Sequence, residues 1–187
     1  MNFIDQSAEY IAKSIRNNHS GAGSEIALKY SLILLINTSL SIVISMIICL
    51  ATGHLLQCLV GIFAYMLIRF VTGGLHMSSS LSCCLLSIII FNSIAITNFN
   101  YNSLFIFLDI VSICTFYITA PNNIQDISKI NPKYYPILRI LAILIVSSNF
   151  YFQSTILTAA FFIQAFLTTK YSYTIRDFVE RRYVYEK

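Results

Sequence analysis

Charge is scarce in this chain of 187 residues. Only 11% of positions are Asp, Glu, Lys or Arg and 57% are hydrophobic, whereas an ordinary soluble domain is about a quarter charged. With a mean hydropathy of +0.72, the balance is not that of a water-soluble globule. The few charges are also clustered, so residues 30–68 and 70–108 form two uncharged runs of 39 residues each, separated by Arg69 alone. No basic stripe lies on a polar domain, which argues against nucleic acid as a partner. The net charge of +4 suits rims at a membrane surface.

Other absences narrow the chemistry. Tryptophan is missing, and the 14 Phe and 12 Tyr read as lipid contacts and interfacial belts, not as a cofactor site. Three dispersed histidines without an HExxH pattern leave no metal-ligand set, and no glycine-rich phosphate loop is present, so neither a metal nor a cofactor is expected. The five cysteines include no CxxC pair, and their odd number argues against a complete disulfide framework. Cys49, Cys58 and Cys114 lie inside apolar runs, where cysteine behaves as a small hydrophobe. The first 29 residues carry Asp5 and Glu9 and no apolar core, unlike a signal peptide. No internal repeat or low-complexity segment divides the chain, which is treated as one integral membrane domain over residues 1–187.

What is present is a series of long apolar runs. A spanning helix needs about 20 apolar residues, so each 39-residue run accommodates a helical hairpin. The first crosses from about Leu28 to Leu50, turns at Thr52-Gly53-His54 and returns through Leu55 to Ile68. The second crosses from Leu81 to Thr97, turns at residues 98–102 and returns from Leu104 to Ala120. Residues 140–169 carry no charge and form a third, shallow hairpin that turns near Ser147-Ser148-Asn149 and Gln153. The expected fold is therefore all-α, with six transmembrane helices as three hairpins over residues 28–169. An amphipathic segment, residues 1–27, precedes them, and a basic cytoplasmic tail, residues 170–187, follows. Short cytoplasmic loops collect Lys and Arg, and with the N-terminus inside all twelve basic residues fall on inner segments, which places both termini in the cytoplasm. Phe3, Ile4, Ala8, Ile11 and Ile15 recur at helical spacing and suit a helix lying in the interface.

One segment gathers chemistry. Arg69 to Cys84 reads RFVTGGLHMSSSLSCC and joins the first two hairpins on the cytoplasmic side. A thiol becomes a good nucleophile when a base takes its proton, and imidazole is the usual base. His76 and Cys83 supply that pair. On one continuous helix they would be about 10.5 Å apart along the axis, so the helix must break between them. Gly73-Gly74 permits the break, and Ser78-Ser79-Ser80 offers an N-cap for a new helix. Cys83 would then sit in the first turn, where the helix dipole favours thiolate. Cys84 points about 100° away around that helix. No third residue that would orient His76 stands out. Ser87, one turn beyond Cys83, serves either the site or interhelical packing. Asp109, the one acid inside an apolar run, either orients substrate or is a hydrogen-bonded acid between helices, with Asn92 and Ser112 as partners in the latter case.

The pattern Arg69, Gly73-Gly74, His76, Cys83 and Ser87 resembles the signature of the accessory gene regulator B (AgrB-type) family. These are membrane peptidases that process quorum-sensing propeptides in Gram-positive bacteria. The likeness extends to the polar N-terminal helix, to Gly23-Ser24-Glu25-Ile26 and to Ala120-Pro121, and covers almost the whole chain. The resemblance implies a catalytic pair of His76 and Cys83, with Arg69, Gly73 and Gly74 shaping the site. Its substrate would be an AgrD-like propeptide, whose acidic tail is cut off while the rest closes into a thiolactone or lactone. Lys129 and Lys133 stand in the loop where the family carries lysines, although it is less basic here, and Arg139 and the C-terminal arginines could share contact with an acidic tail. The implied location is the plasma membrane of a Gram-positive bacterium, among membrane lipids, and both the family and the small polar residues along the spans allow a homodimer. The rival class is a non-enzymatic transporter or scaffold for peptide export.

Overall fold

The computed structural model describes residues 2–19, 21–122 and 131–185. These are helical almost throughout, with no strand among them. The helices are α1 (Phe3–Asn18), α2 (Glu25–Ala51), α3 (Leu55–Thr72), α4 (Ser80–Ala95), α5 (Ser103–Thr119), α6 (Tyr135–Ser147), the single turn α7 (Asn149–Phe152), α8 (Thr155–Leu167) and α9 (Lys170–Tyr185). They group into two compact units. Met1–Gly53 with His76–Asn92 makes one, and His54–Leu75 with Ser93–Lys187 the other, so α4 starts in the first and ends in the second.

In the first unit, α1 opens with a capping box. The Asn2 side chain accepts from the Asp5 N–H while the Asp5 carboxylate accepts from the Asn2 N–H, satisfying two donors that a helix start leaves orphaned. α1 packs along α2 and buries Ile4, Ala8 and Ala12, while Phe3 and Ile11 remain 77% and 38% exposed. Only part of the predicted apolar stripe is therefore spent on packing. Glu9 joins the two helices, at 2.6 Å from Lys13 and 2.7 Å from Lys29. Ser24 caps α2 by accepting from the Ala27 N–H. Further along α2 a stripe of small polar residues, Ser41, Ser45 and Cys49, is buried at every fourth position, the spacing that keeps side chains on one helix face. Ser41 Oγ donates to the Cys84 carbonyl and lies 3.3 Å from its Sγ, Asn92 Nδ2 donates to Ser45 Oγ, and Cys49 Sγ donates to Asn92 Oδ1. α2 and α4 thus run parallel with small residues between them, the packing favoured where close approach replaces hydrophobic collapse.

In the second unit, α3 and α5 each pack on α6 and α8, around Ile62, Ile68, Phe116, Val146 and Phe161. Gly61 lies against Ile94, whose Cγ2 would stand 2.5 Å from a Cβ at that position, so only glycine fits. Asp109 is fully buried, and its Oδ2 accepts from Tyr101 Oη, Asn149 Nδ2 and Thr158 Oγ1 at 2.8, 2.8 and 3.2 Å. Asn92 and Ser112, the partners expected for it, bond elsewhere, Ser112 to its own helix at Leu108. Asn149 also brackets Ser154, accepting from its N–H and donating to its carbonyl. That holds the sharp turn at Gln153, whose φ is 51°.

Three helical stretches are long and apolar enough to cross a membrane: Glu25–Ala51, Leu55–Thr72 and Pro132–Phe152. The apolar helices Ser80–Ala95, Ser103–Thr119 and Thr155–Leu167 are shorter. At 1.5 Å per residue, α8 reaches about 20 Å, less than the roughly 30 Å of a hydrocarbon core. The helices break near the expected turn residues 52–54, 98–102 and 153, but by length only three of the six expected spans qualify.

Candidate active site

The glycine break is built in the second unit. α3 stops at Gly73, whose φ of 68° lies in the region that favours glycine, and whose N–H closes the helix on the Arg69 carbonyl at 2.8 Å. Gly74 follows at φ 125°. The segment is then fastened from three sides. Gly74 N–H donates to the Asn122 carbonyl, Asn122 N–H to the Thr72 carbonyl, and Leu75 N–H to the Leu167 carbonyl, at 2.9 to 3.1 Å. Arg69 turns back along its own helix to donate to the Leu75 carbonyl at 2.6 Å, and reaches Tyr65 Oη and Gln164 Oε1 at 3.3 and 3.4 Å. Fully buried Gln164 completes the clamp, its Nε2 donating to Thr72 Oγ1 at 2.9 Å and to the Gly73 carbonyl at 2.5 Å. A Cβ on Gly74 would stand 3.1 Å from that Nε2. Arg69, Gly73 and Gly74 thus belong to one clamp with Thr72, Leu75, Asn122, Leu167 and Gln164.

His76 and Cys83 belong to the first unit. After the bend at Ser78-Ser79, α4 begins at Ser80, and Cys83 is its fourth residue, its N–H bonded to the Ser79 carbonyl at 3.0 Å. Ser80 Oγ donates to Asp5 Oδ1 at 2.5 Å and accepts from Asn2 Nδ2 at 3.0 Å, which ties the start of α1 to the start of α4. Between these elements opens a cleft of about 200 Å3, lined by Asp5, Tyr30, Ile33, Leu34, Asn37, His76, Met77, Ser78, Ser80 and Cys83. The α2 residues 30, 33, 34 and 37 follow the helical repeat, so one face of α2 forms a wall.

The cleft receives His76 and Cys83 together. Both are partly exposed, whereas Cys84 is buried beneath Ser41. Ser87 is not a wall residue and donates to the Cys83 carbonyl at 2.9 Å. Lys133 is exposed on the turn Pro132–Tyr134, and Lys129 lies outside the described residues. Asp109 is engaged in its own network in the second unit. Among the described residues, no three His, Cys, Asp or Glu gather as metal ligands. A thiol and an imidazole in one largely apolar cleft, with a carboxylate and a carboxamide beside them, are the components of nucleophilic acyl transfer.

Asp5, Asn37, Asn122 and Gln164 were not singled out by the sequence. Asp5 had a local signal, the Asn-x-x-Asp capping box. Asn37 had a weaker one, a polar residue in register with the α2 wall. Asn122 and Gln164 act over separations that local patterns do not report.

Compared with known families, residues 4–175 match accessory gene regulator B. No curated protein and no solved structure matches the chain.

Proposed function

Because the chain belongs to the accessory gene regulator B family, whose members take part in processing the agr quorum-sensing propeptide together with AgrD, we propose that it is a membrane cysteine endopeptidase that cuts the tail from that propeptide and promotes ring closure. The observation that carries this reading is the shared cleft. His76 and Cys83 both line it, and the neighbouring Cys84 is turned away under Ser41.

The chemistry follows from those two side chains. His76 takes the thiol proton, and Cys83 sulfur attacks the scissile carbonyl carbon. The C–N bond then breaks, the leaving amine receives the proton from His76, and the acidic tail departs, leaving a thioester on Cys83. His76, neutral again, takes the proton of an internal Cys or Ser of the bound peptide, whose sulfur or oxygen attacks that carbonyl. Its C–S bond to Cys83 breaks, the thiolate returns, and a thiolactone or lactone forms. Ring closure competes with hydrolysis because the held geometry gives the internal nucleophile a high effective concentration and the apolar walls Ile33 and Leu34 keep water scarce. Lys129 and Lys133 would meet the acidic tail.

The setting we infer is the plasma membrane of a Gram-positive bacterium, with six spans and both termini and the Arg69–Cys83 segment in the cytoplasm. On that path all twelve basic residues fall on inner segments, which supports it, as does the parallel course of α2 and α4. Short α4, α5 and α8 would be accommodated by local thinning of the bilayer.

The test is co-expression with the AgrD propeptide of the same genome, following the mass of the peptide. Cys83→Ala and His76→Ala should abolish tail release, with Cys84→Ala close to wild type. Processing that survives both of the first two substitutions leaves the transporter or scaffold reading in place of the enzyme.

A further inference from the structure

A thiol peptidase needs more than a nucleophile and a base. As Cys83 sulfur bonds to the scissile carbon, the carbonyl π electrons move onto oxygen, and the resulting oxyanion needs hydrogen-bond donors placed beforehand. The Cys83 N–H is not one of them, since it is spent on the Ser79 carbonyl at 3.0 Å. The cleft nevertheless holds a neutral side chain with N–H groups. Asn37, on the α2 wall, lines the same cleft as His76 and Cys83 and is only 6% exposed. Its Oδ1 is buried and accepts no hydrogen bond among the described residues.

That unused oxygen decides between two roles. A carboxamide that oriented His76 would do so by accepting the imidazole N–H through Oδ1, as in Cys-His-Asn peptidases, and Oδ1 accepts nothing. A buried polar atom left unpaired costs about 1–3 kcal/mol, so its place in an otherwise apolar wall wants an explanation beyond packing. We propose that Asn37 is a catalytic residue that donates a carboxamide N–H to the scissile carbonyl oxygen of the propeptide as Cys83 attacks. The bond strengthens as charge gathers on that oxygen and relaxes when the C–N bond breaks and the amine takes its proton from His76. The inference rests on the cysteine-peptidase reading of the cleft.

The experiment uses the full chain in lipid vesicles with the AgrD propeptide of the same genome, comparing wild type, Asn37→Leu, Asn37→Asp and Cys83→Ala. Tail release is followed by mass, and Cys83 is probed separately by its rate of alkylation with iodoacetamide across pH, read from the Cys83 peptide. Loss of an oxyanion donor should lower kcat for both Asn37 variants by about 10²- to 10³-fold and leave KM little changed, and Asn37→Leu, which adds no charge, should leave the alkylation profile of Cys83 as in wild type. Near-normal kcat in Asn37→Leu overturns the proposal while the cysteine-peptidase reading stands. An altered alkylation profile in Asn37→Leu also overturns it, because Asn37 would then act through His76 or Cys83. Should Asn37→Leu not accumulate, Asn37→Ala, which also lacks a donor, carries the same comparison. Processing by Cys83→Ala brings down the underlying reading, whatever the Asn37 variants do.

Discussion

Arg69, Gly73, Gly74 and Gln164 show how few atoms fix the end of α3. Gln164 supplies two donors and one acceptor inside a helix interface. Replacing it with Leu would take the short Nε2 bond from the buried Gly73 carbonyl, leaving it only a 3.4 Å contact with Thr72 Oγ1, at about 1–3 kcal/mol, while the Thr72 hydroxyl keeps its bond to the Ile68 carbonyl. Gly74→Ala meets both a positive φ and that amide, with a strain of about 1–3 kcal/mol, whereas Gly23 has open space around its Cα. Thermal unfolding in detergent should therefore show Gln164→Leu and Gly74→Ala clearly destabilised and Gly23→Ala unchanged, and equal stability of all three would contradict the clamp. The glycines were legible because a helix break leaves a local mark. Gln164 was not, because its partners lie more than ninety positions away, and nothing in an apolar run says which polar side chain turns inward. The same limit hid two partners of Asp109, Asn149 and Thr158, 40 and 49 positions away, although Tyr101 is only eight positions off.

At the scale of elements, α1 is where the sequence pattern told half of the story. Its apolar spacing was readable, but the partner was not, and the structure spends Ile4, Ala8 and Ala12 on α2. α2 has 27 residues, about 40 Å at 1.5 Å per residue, so it exceeds a hydrocarbon core and has length to spare for α1. The Glu9 bonds to Lys13 and Lys29 hold its carboxyl down to about 2, well below the usual carboxylate range. Because the folded value is depressed, the contribution of these pairs is fully present above the ordinary Glu range, near pH 4.5, and is lost as pH falls towards 2. These exposed pairs contribute modestly and are screened by salt. Amide exchange in α1, corrected for intrinsic rates, should be steady above pH 5 and rise below about pH 4, and Glu9→Gln should remove that acid dependence. Exchange with the same pH profile in both proteins would show that Glu9 does not fasten α1. The six apolar runs became helices with nearly the expected ends, because turn residues such as Gly53 and Asn102 carry their own signals. That α8 would be only 13 residues was hidden, since the turn at Gln153 depends on Asn149.

For the whole molecule, charge placement speaks to orientation and the cleft speaks to chemistry. A tag after Lys187 or before Met1 should be accessible only after the membrane of intact cells is permeabilised, and labelling of either one from outside would contradict the six-span path. The central claim is that Cys83 carries the propeptide as a thioester, and the most direct measurement is the intact mass of the chain. It should be incubated with an AgrD propeptide whose ring-closing Cys or Ser is replaced by Ala, then quenched in acid. The account predicts an adduct equal to the propeptide without its tail, cleaved by hydroxylamine, mapped to Cys83, retained in Cys84→Ala and absent from Cys83→Ala. Tail release by Cys83→Ala at the wild-type rate, or an adduct on Cys84, would contradict it.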